Sequence, residues 1–423
     1  MKFGALLVFQ AAFLGWLGLW GKRPGLLTLF AFSIGFFLYS GLATSADIVP
    51  PSLMVAYTIF ALATAASFAL ANTAFSPVAY KLVGKNASRL EYFERSGLWK
   101  FVIGAYFALH FANLLYPNFR ILELFDPPSP DIRSWFVGRF ELEKEFFTRV
   151  VDYMLVLLTP FFYMTLYFLR RNLAVVIIVL FSPLYLEYVD DGYIGRGRIF
   201  FAVVVISVFV WAARPDRRRA LLLAGSLLLP WFFVAFSVYA SLRLGLSAGD
   251  VSIIDSMRHV FDTEFSFLLG AGLPLINSGR TTDLGSYFTW LVSLPVPAFL
   301  KSGLDLSLIN YEISEIVLGS SVSDYGFYVV LSGLLAESFY IYGGHYFWLH
   351  ALMLGFAMGV LSALISRDNK LVGVYAYVVA VFFFTLNRGG VASTLPLVVN
   401  GFLMFYLYLF WPLFFSSRRN KVL

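Results

Sequence analysis

The residues of this chain that could do chemistry are a set of arginines beside apolar segments. They are Arg196, Arg198, Arg243, Arg258, Arg280 and Arg388. A guanidinium group binds phosphate through paired hydrogen bonds, and two such groups can neutralise a pyrophosphate without a metal ion. We therefore expect an anionic ligand. Two alternatives stay open: side chains that reach toward lipid headgroups, and arginines held in structural ion pairs.

One acid, Glu337, stands apart from the others. It lies in an apolar, helix-like run that stops at the glycine pair Gly343 and Gly344. A carboxylate in such surroundings is a candidate proton acceptor, and the alternative is a carboxylate paired with one of the arginines. Asp283, Asp324 and Asp190 are weaker candidates for the same role. Tyrosines of the same run, Tyr340 and Tyr342, are candidates for contact with a sugar.

Composition limits the elements that can position these residues. Of the 423 residues, 60% are hydrophobic and 13% are charged, and the mean hydropathy is +0.78. A soluble domain carries about 25% charged residues, so these values exclude a soluble enzyme, a disordered chain and a nucleic-acid-binding domain. The absence of cysteine excludes disulfides, thiolate metal sites and a cysteine nucleophile. The four histidines are too dispersed to suggest a metal site.

The fold class predicted from this composition is an all-α polytopic membrane protein, because apolar runs long enough to span a bilayer recur along the chain. Eleven spans are predicted: Phe3–Trp20, Leu26–Leu42, Leu53–Leu70, Phe101–Leu115, Val150–Leu169, Leu173–Val189, Ile199–Trp211, Ala220–Leu242, Tyr346–Leu364, Leu371–Leu386 and Thr394–Phe414. The first lacks the features of a cleaved secretory signal, so we expect a permanent helix.

The distribution of basic residues predicts the orientation of these spans. Six short segments hold 18 of the 31 Lys and Arg residues, and such segments stay on the cytoplasmic side of a membrane. They are Lys22 and Arg23; Lys81, Lys85, Arg89, Arg95 and Lys100; Arg170 and Arg171; Arg214, Arg217, Arg218 and Arg219; Arg367 and Lys370; and Arg418, Arg419 and Lys421. The opposite face is then acidic, so the net charge of +6 requires no nucleic-acid partner.

This orientation divides the chain into three parts. Residues 1–242 form N-terminal transmembrane helices, residues 243–345 a large structured outer loop, and residues 346–423 C-terminal helices with a basic cytoplasmic tail. Two apolar segments of the loop, Leu284–Leu300 and Ser323–Tyr342, are predicted to be re-entrant or interfacial. In the alternative both cross the membrane, which gives thirteen spans. We find no internal repeat and no paired broken helices, which weakens a transporter interpretation.

Four features in chain order resemble the O-antigen polymerases, a family also called oligosaccharide repeat-unit polymerases. They are the outer loop Gly195-Arg196-Gly197, the large outer loop with its arginines, the stretch Leu294-Pro295-Val-Pro297-Ala-Phe-Leu-Lys301, and the run Ala336-Glu337-Ser-Phe-Tyr340-Ile-Tyr342-Gly343-Gly344. The resemblance covers roughly the C-terminal half, from Asp190 to Phe414.

The resemblance implies a GT-C-like, metal-independent membrane glycosyltransferase without a cofactor, located in the bacterial inner membrane with its active site facing the periplasm. A glycan on undecaprenyl pyrophosphate would be transferred to a second lipid-linked repeat unit, with a chain-length-regulating co-polymerase as a candidate partner. Glu337, Arg196 and Arg280 would be catalytic. The residues expected to bind pyrophosphate or glycan are Arg198, Arg243, Arg258, Arg388, Tyr340, Tyr342 and Asp283.

Two alternative functions remain. The first is an O-antigen ligase that transfers glycan to a lipid A core. Such ligases are expected to have a histidine and a nearby polar residue late in the large loop, whereas His259 here lies early and precedes Val260. The second is a polysaccharide or lipid flippase, which should carry its charges at mid-membrane beside broken helices.

Overall fold

The chain folds as helices throughout the residues that the structure describes. This computed structural model describes residues 25–40, 49–117, 119–128, 146–192, 194–242, 254–256, 268–296, 300, 309–321, 324 and 327–415. These residues are 86% helical and contain no strand. The all-α fold class predicted from the composition is therefore confirmed for the described ranges. The first predicted span, Phe3–Trp20, lies outside them.

The helices are numbered here in chain order. They are α1 Gly25–Tyr39, α2 Pro51–Arg95, α3 Leu98–Leu115, α4 Phe146–Leu169, α5 Leu173–Asp191, α6 Arg196–Ala213, α7 Arg218–Leu242, α8 Leu273–Asn277, α9 Leu284–Ser293, α10 Ile309–Leu318, α11 Leu334–Ile365, α12 Val372–Ala380 and α13 Leu386–Phe415. Short 3₁₀ turns lie at Ile121–Leu124, Pro215–Arg217 and Asn369–Leu371, and π-helical turns lie at Leu268–Gly272 and Val381–Thr385.

Six of the described helical segments are long and apolar enough to cross a membrane. They are Pro51–Leu82, Leu98–Leu115, Phe146–Leu169, Leu173–Asp191, Leu334–Ile365 and Asn369–Leu409. A seventh is the pair Gly197–Ala213 and Pro215–Leu228, bent by 111°. Shorter apolar helices cover Gly25–Tyr39 and Pro230–Tyr239. A multi-pass membrane protein is thus supported, while the count of eleven or thirteen crossings stays a prediction.

The helix α2 is longer than the span predicted within it. It continues through Lys81, Lys85 and Arg89 to Arg95, so this basic segment is helical rather than a loop. Lys, Arg, Glu and Leu are all good helix formers, which explains why the helix continues past its apolar part. The positive charge that predicted the orientation therefore lies on a helical extension.

The described helices between residue 243 and the start of α11 are short. The helix α9 has 10 residues and ends before Pro295, and α10 also has 10 residues. At 1.5 Å per residue each is about 15 Å long, half the hydrocarbon thickness of a bilayer. Neither can cross a membrane alone. This agrees with the interfacial or re-entrant segment predicted over Leu284–Leu300.

Two long helical segments are broken at glycines. Gly343 interrupts α11 with φ 72° and ψ 170°, and Gly390 interrupts α13 with φ 71° and ψ −168°. This backbone region is essentially restricted to glycine. The first break confirms that the apolar run containing Glu337 stops at the glycine pair. The second lies between the predicted spans Leu371–Leu386 and Thr394–Phe414, in a segment of 41 residues that would be about 62 Å long if straight.

The contacts divide the chain into two compact units. Unit 1 contains Met1–Lys85, Phe261–Asp368 and Val378–Asn400, and unit 2 contains Asn86–Val260, Asn369–Tyr377 and Gly401–Leu423. These units differ from the three parts predicted from the sequence, because membrane helices pack by complementary surfaces rather than by their order in the chain.

Close helix packing in unit 1 depends on small residues. A Cβ atom at Gly355 would overlap the Thr64 carbonyl, and one at Gly359 would lie 2.6 Å from the Phe68 carbonyl oxygen. The Asn72 side chain also donates to the Gly359 carbonyl at 3.2 Å. Small residues let helix backbones approach in membranes, where hydrophobic attraction between helices is weak. The helices α2 and α11 are therefore held backbone to backbone.

Asn387 fixes the segment that precedes the Gly390 break. Its Nδ2 atom lies within hydrogen-bond distance of three carbonyl oxygens: Phe382 at 2.8 Å, Phe383 at 3.0 Å and Phe32 of α1 at 3.2 Å. The first two belong to the π-helical turn Val381–Thr385. A side-chain donor thus satisfies carbonyls where the regular helix ladder is disturbed.

Unit 2 is built mainly from α3, α4, α5 and α6. The rings of Tyr106 and Phe162 stack at 4.2 Å between centroids, and Leu114, Leu186 and Val189 form a buried cluster. The last turn of α5 is held by Arg120, whose Nη1 atom donates to the Asp190 carbonyl at 2.6 Å. These contacts fix the segment that leads into the predicted Gly-Arg-Gly loop.

Candidate functional site

The carboxylate of Glu337 is the most deeply enclosed ionisable group predicted for the site. The residue is 1% exposed. Its Oε1 atom accepts a hydrogen bond from the Ala392 amide at 2.7 Å, and its Oε2 atom accepts one from the Val391 amide. These amides begin the helical segment after Gly390, where free N–H groups and the helix dipole favour an anion. The partners recorded for Glu337 are thus backbone amides and not an arginine.

The contact with Glu337 requires a glycine at position 390. Any Cβ atom at this position would overlap the Glu337 carboxylate, and the positive φ of 71° independently disfavours other residues. Arg388 lies two residues earlier and is half-buried, with its guanidinium carbon 5.4 Å from the centroid of the Phe384 ring. The Glu337 carboxylate therefore holds the start of one helix and fixes the backbone beside Arg388.

Arg280 lies on a short loop that is fixed by hydrogen bonds of the residues before and after it. The Ser278 hydroxyl donates to the Leu275 carbonyl at 2.7 Å and accepts from the Arg280 amide at 3.2 Å. On the other side, the Thr282 amide donates to the Tyr340 carbonyl at 2.9 Å. Gly279 makes the intervening turn with φ 62°. The result is an exposed arginine on a well-fixed backbone.

Asp283 caps the next helix and does not face Arg280 through any recorded contact. Its Oδ2 atom accepts from the Ser286 amide at 2.7 Å and from the Ser286 hydroxyl at 3.1 Å. These hydrogen bonds lower the pKa of the Asp283 carboxyl below its ordinary value. Aspartate is among the preferred residues at this position, so the geometry assigns Asp283 a capping role at the start of α9.

A second carboxylate, Glu312, joins three segments of unit 1. Its Oε2 atom accepts hydrogen bonds from the Tyr340 hydroxyl at 2.7 Å and from the Thr282 hydroxyl at 3.0 Å. Glu312 is half-buried on α10, whereas Thr282 precedes α9 and Tyr340 lies on α11. Glu312 was not predicted from the sequence. In the sequence, Glu312 is marked only by its position next to Ile313, which is buried. The two hydroxyl groups that donate to it belong to residues 28 and 30 positions away.

A cluster of aromatic side chains lies beside the hydrogen-bond network of Glu312. The Tyr342 ring is 5.3 Å from the His350 ring and 6.3 Å from the Tyr287 ring, measured between centroids. His350 is buried, and its Nδ1 atom lies 2.7 Å from the Ser338 hydroxyl. Tyr340 is buried and Tyr342 is half-buried. Tyr342 is therefore the predicted tyrosine with more ring surface available to a ligand.

The predicted arginines of the Gly-Arg-Gly loop belong to unit 2. Arg196 begins α6, and Arg198 follows in its first turn, where it forms an ion pair with Glu187 of α5. The Tyr239 hydroxyl donates to the Ile194 carbonyl at 2.6 Å and fixes the backbone just before α6. The ion-pair alternative thus describes Arg198, although 63% of its side chain remains exposed.

The structure brings together only part of the predicted site. Thr282, Tyr340 and the overlooked Glu312 share one network, and Arg280 lies two residues before Thr282. Glu337 and the backbone beside Arg388 form another contact within the same unit. Arg243 and Arg258 lie outside the described residues. Within the described ranges, no group of three or more His, Asp or Glu side chains is arranged to hold a metal ion. Comparisons with protein-family models, curated proteins and solved structures find no match to this chain.

Proposed function

We propose that this protein polymerises lipid-linked oligosaccharide repeat units, with undecaprenyl pyrophosphate as the leaving group. The reaction takes place at the periplasmic side of the bacterial inner membrane. It builds O-antigen or a related surface polysaccharide, and a chain-length-regulating co-polymerase is a candidate partner. The donor carries its own activated sugar, so the reaction needs no nucleotide sugar.

The observation that carries this proposal is the exposed Arg280 on the loop fixed to Tyr340 and Glu312. Glycosyl transfer from a lipid pyrophosphate needs positive charge at the leaving group and a polar site for the acceptor hydroxyl. The loop supplies the cation, and Thr282, two residues after Arg280, belongs to the network of Glu312, Tyr340 and Thr282. A preorganised cation costs little reorganisation when the negative charge develops, which favours catalysis.

Two further observations support the polymerase proposal: a contact between two of the sequence motifs, and the apolar helices. The Ala336–Gly344 run and the Gly390 segment, 47 residues apart between Gly343 and Gly390, meet through the Glu337 carboxylate in unit 1. Lipid-linked substrates require a protein embedded in a bilayer, and six to seven helices are suited to this. Arg388, which belongs to the same unit as Arg280, is proposed to contribute to pyrophosphate binding. The binding roles expected for Arg196, Arg198, Arg243 and Arg258 stay predictions.

The flippase alternative receives less support from the Gly390 break. In carriers, the N-terminus of a broken helix commonly faces an anionic group of the substrate. Here the corresponding N–H groups of Val391 and Ala392 bind the protein's own carboxylate. An internal anion therefore takes the place that a carried anion would need.

Reconstitution tests the proposal. Purified protein in lipid nanodiscs is given lipid-pyrophosphate-linked repeat units, and product length is followed on a gel. We expect a ladder for the wild type and for Arg95→Ala, an exposed arginine paired with Glu91, and loss of the ladder for Arg280→Ala. Transfer only to an added lipid A core would instead identify a ligase. Movement of the lipid-linked unit across the bilayer without glycosidic bond formation would identify a flippase.

A further inference from the structure

The Glu312 carboxylate accepts hydrogen bonds from hydroxyl groups of the protein. Its Oε2 atom accepts hydrogen bonds from two hydroxyl groups, that of Tyr340 at 2.7 Å and that of Thr282 at 3.0 Å. They come from two other segments, and the backbone hydrogen bond between Thr282 and Tyr340 locks those segments together. Two hydrogen bonds therefore position the Glu312 carboxylate, and the backbone hydrogen bond fixes their two donors relative to each other. This is the preorganisation that a functional carboxylate needs.

Arg280 lies close to this carboxylate. Consecutive Cα atoms are 3.8 Å apart, so the Cα atoms of Arg280 and Thr282 are at most about 7.6 Å apart. Arg280 is exposed and Glu312 is half-buried. A cation for a pyrophosphate and an acceptor for a hydroxyl proton are thus linked through Thr282 within unit 1.

Glu337 is less suited to receive a proton from a substrate. It is 1% exposed, and each of its carboxylate oxygens accepts a backbone amide hydrogen bond. A general base must come within about 2.6–3.2 Å of the hydroxyl that it deprotonates. A sugar hydroxyl could reach Glu337 only if the start of the helix after Gly390 moved away. The hydrogen bonds that Glu312 accepts from Tyr340 and Thr282 come from side-chain hydroxyls and not from backbone amides, and the residue is half-buried.

We propose that Glu312 is the general base for the acceptor hydroxyl, an inference that rests on the proposed polymerase function. The acceptor O–H proton passes to the Glu312 carboxylate while the acceptor oxygen forms a bond to the anomeric carbon of the donor sugar. The bond between that carbon and the phosphate oxygen breaks, and the electron pair leaves with the lipid pyrophosphate beside Arg280. Tyr340 and Thr282 are positioning residues that hold the carboxylate.

The test compares Glu312→Gln with Glu315→Gln, which changes a glutamate one turn later on α10. Repeat-unit polymerisation in nanodiscs is measured as kcat and KM over a range of pH. For Glu312→Gln we expect kcat to fall by about 10²–10⁴-fold with little change in KM, because a general base contributes about this much. The acidic limb of the pH–rate profile should also disappear. Glu315→Gln should keep the wild-type rate and profile.

Two further variants keep the test decisive if Glu312→Gln does not fold. Tyr340→Phe and Thr282→Val each remove one hydroxyl that holds Glu312, and we expect each to lower kcat on the order of tenfold. A wild-type kcat in Glu312→Gln, or in both of these variants, would overturn the assignment of Glu312 and leave the polymerase proposal standing. If the wild-type protein forms no ladder at all, the polymerase proposal fails and this inference fails with it.

Discussion

The Glu337 carboxylate accepts hydrogen bonds from the backbone amides of Val391 and Ala392, 54 and 55 residues further along the chain. An acid in the first turn of one helical segment thus caps the start of another. The contact lies where α13 is broken at Gly390, so it supplies partners for N–H groups that the break leaves without carbonyls. It also joins the glutamate run to the Arg388-Gly-Gly segment. The main predictions about stability follow from this contact.

Replacing Glu337 with glutamine should destabilise the protein. The amide side chain keeps one oxygen for one of the two N–H groups, but its NH₂ group faces the other. A buried donor left without a partner costs about 1–3 kcal/mol. We expect a loss of this size in denaturant unfolding in detergent. Glu91→Gln, which changes an exposed glutamate paired with Arg95, should cost less than about 1 kcal/mol. Equal stability of both variants would show that the cap contributes nothing.

Alanine at Gly390 should be more harmful than alanine at Gly343. Both glycines have nearly the same backbone conformation, which costs a non-glycine residue about 1–3 kcal/mol. At Gly343 an added Cβ would meet only the Thr281 Cγ2 atom at 3.8 Å, an ordinary contact. At Gly390 it would overlap the Glu337 carboxylate. The difference between their unfolding midpoints therefore isolates the carboxylate contact, and equal midpoints would contradict it.

Asp283 should make the start of α9 sensitive to pH. Its pKa is lowered by hydrogen bonds from Ser286, so the charged cap stabilises the helix fully above the unfolded value of 3.8. This stability is lost as the pH falls through the folded pKa. The protection factors of the α9 amides, which correct for the pH dependence of intrinsic exchange, should fall below about pH 4 in the wild type. Asp283→Asn should keep the cap without this pH dependence, and Asp283→Ala should exchange faster at every pH.

Arg280 should affect catalysis and leave stability unchanged. Its side chain is exposed, and its loop is held by contacts of Ser278 and Thr282 instead. We expect Arg280→Ala to lower kcat by about 10²–10³-fold, the usual effect of removing one transition-state donor. Arg280→Lys should recover only part of the rate, because lysine lacks the bidentate geometry of a guanidinium. An unfolding midpoint that falls with the rate would point to a structural role.

The helical character and several boundaries of this fold could be predicted from sequence because they depend on local chemistry. The glycine pair ended the Glu337 run, and Pro295 lay beyond the end of α9. The extension of α2 to Arg95 was not predicted, since a hydropathy criterion ends a span where charge begins, although charged residues continue a helix well. The two units also follow packing between distant segments.

The candidate site was harder to predict because its contacts are long-range. The sequence singles out Glu337 as an acid in an apolar run, yet its partners are two backbone amides, and backbone groups carry no sequence signal. Glu312 was overlooked because a single glutamate on a short helix looks like an exposed residue. Its hydroxyl partners become evident only when Thr282 and Tyr340 are placed beside it. The functional roles of these residues remain predictions.

The proposed polymerisation, with lipid pyrophosphate as leaving group, is tested most simply by measuring the released lipid. Purified protein in nanodiscs receives repeat units on undecaprenyl pyrophosphate, without any nucleotide sugar, and mass spectrometry follows both the free lipid pyrophosphate and the glycan length. We expect one lipid pyrophosphate to be released for each new glycosidic bond. With Arg280→Ala we expect neither free lipid pyrophosphate nor a lengthened glycan. Intact repeat units after incubation with folded wild-type protein, with no free lipid pyrophosphate, would contradict the proposed polymerisation.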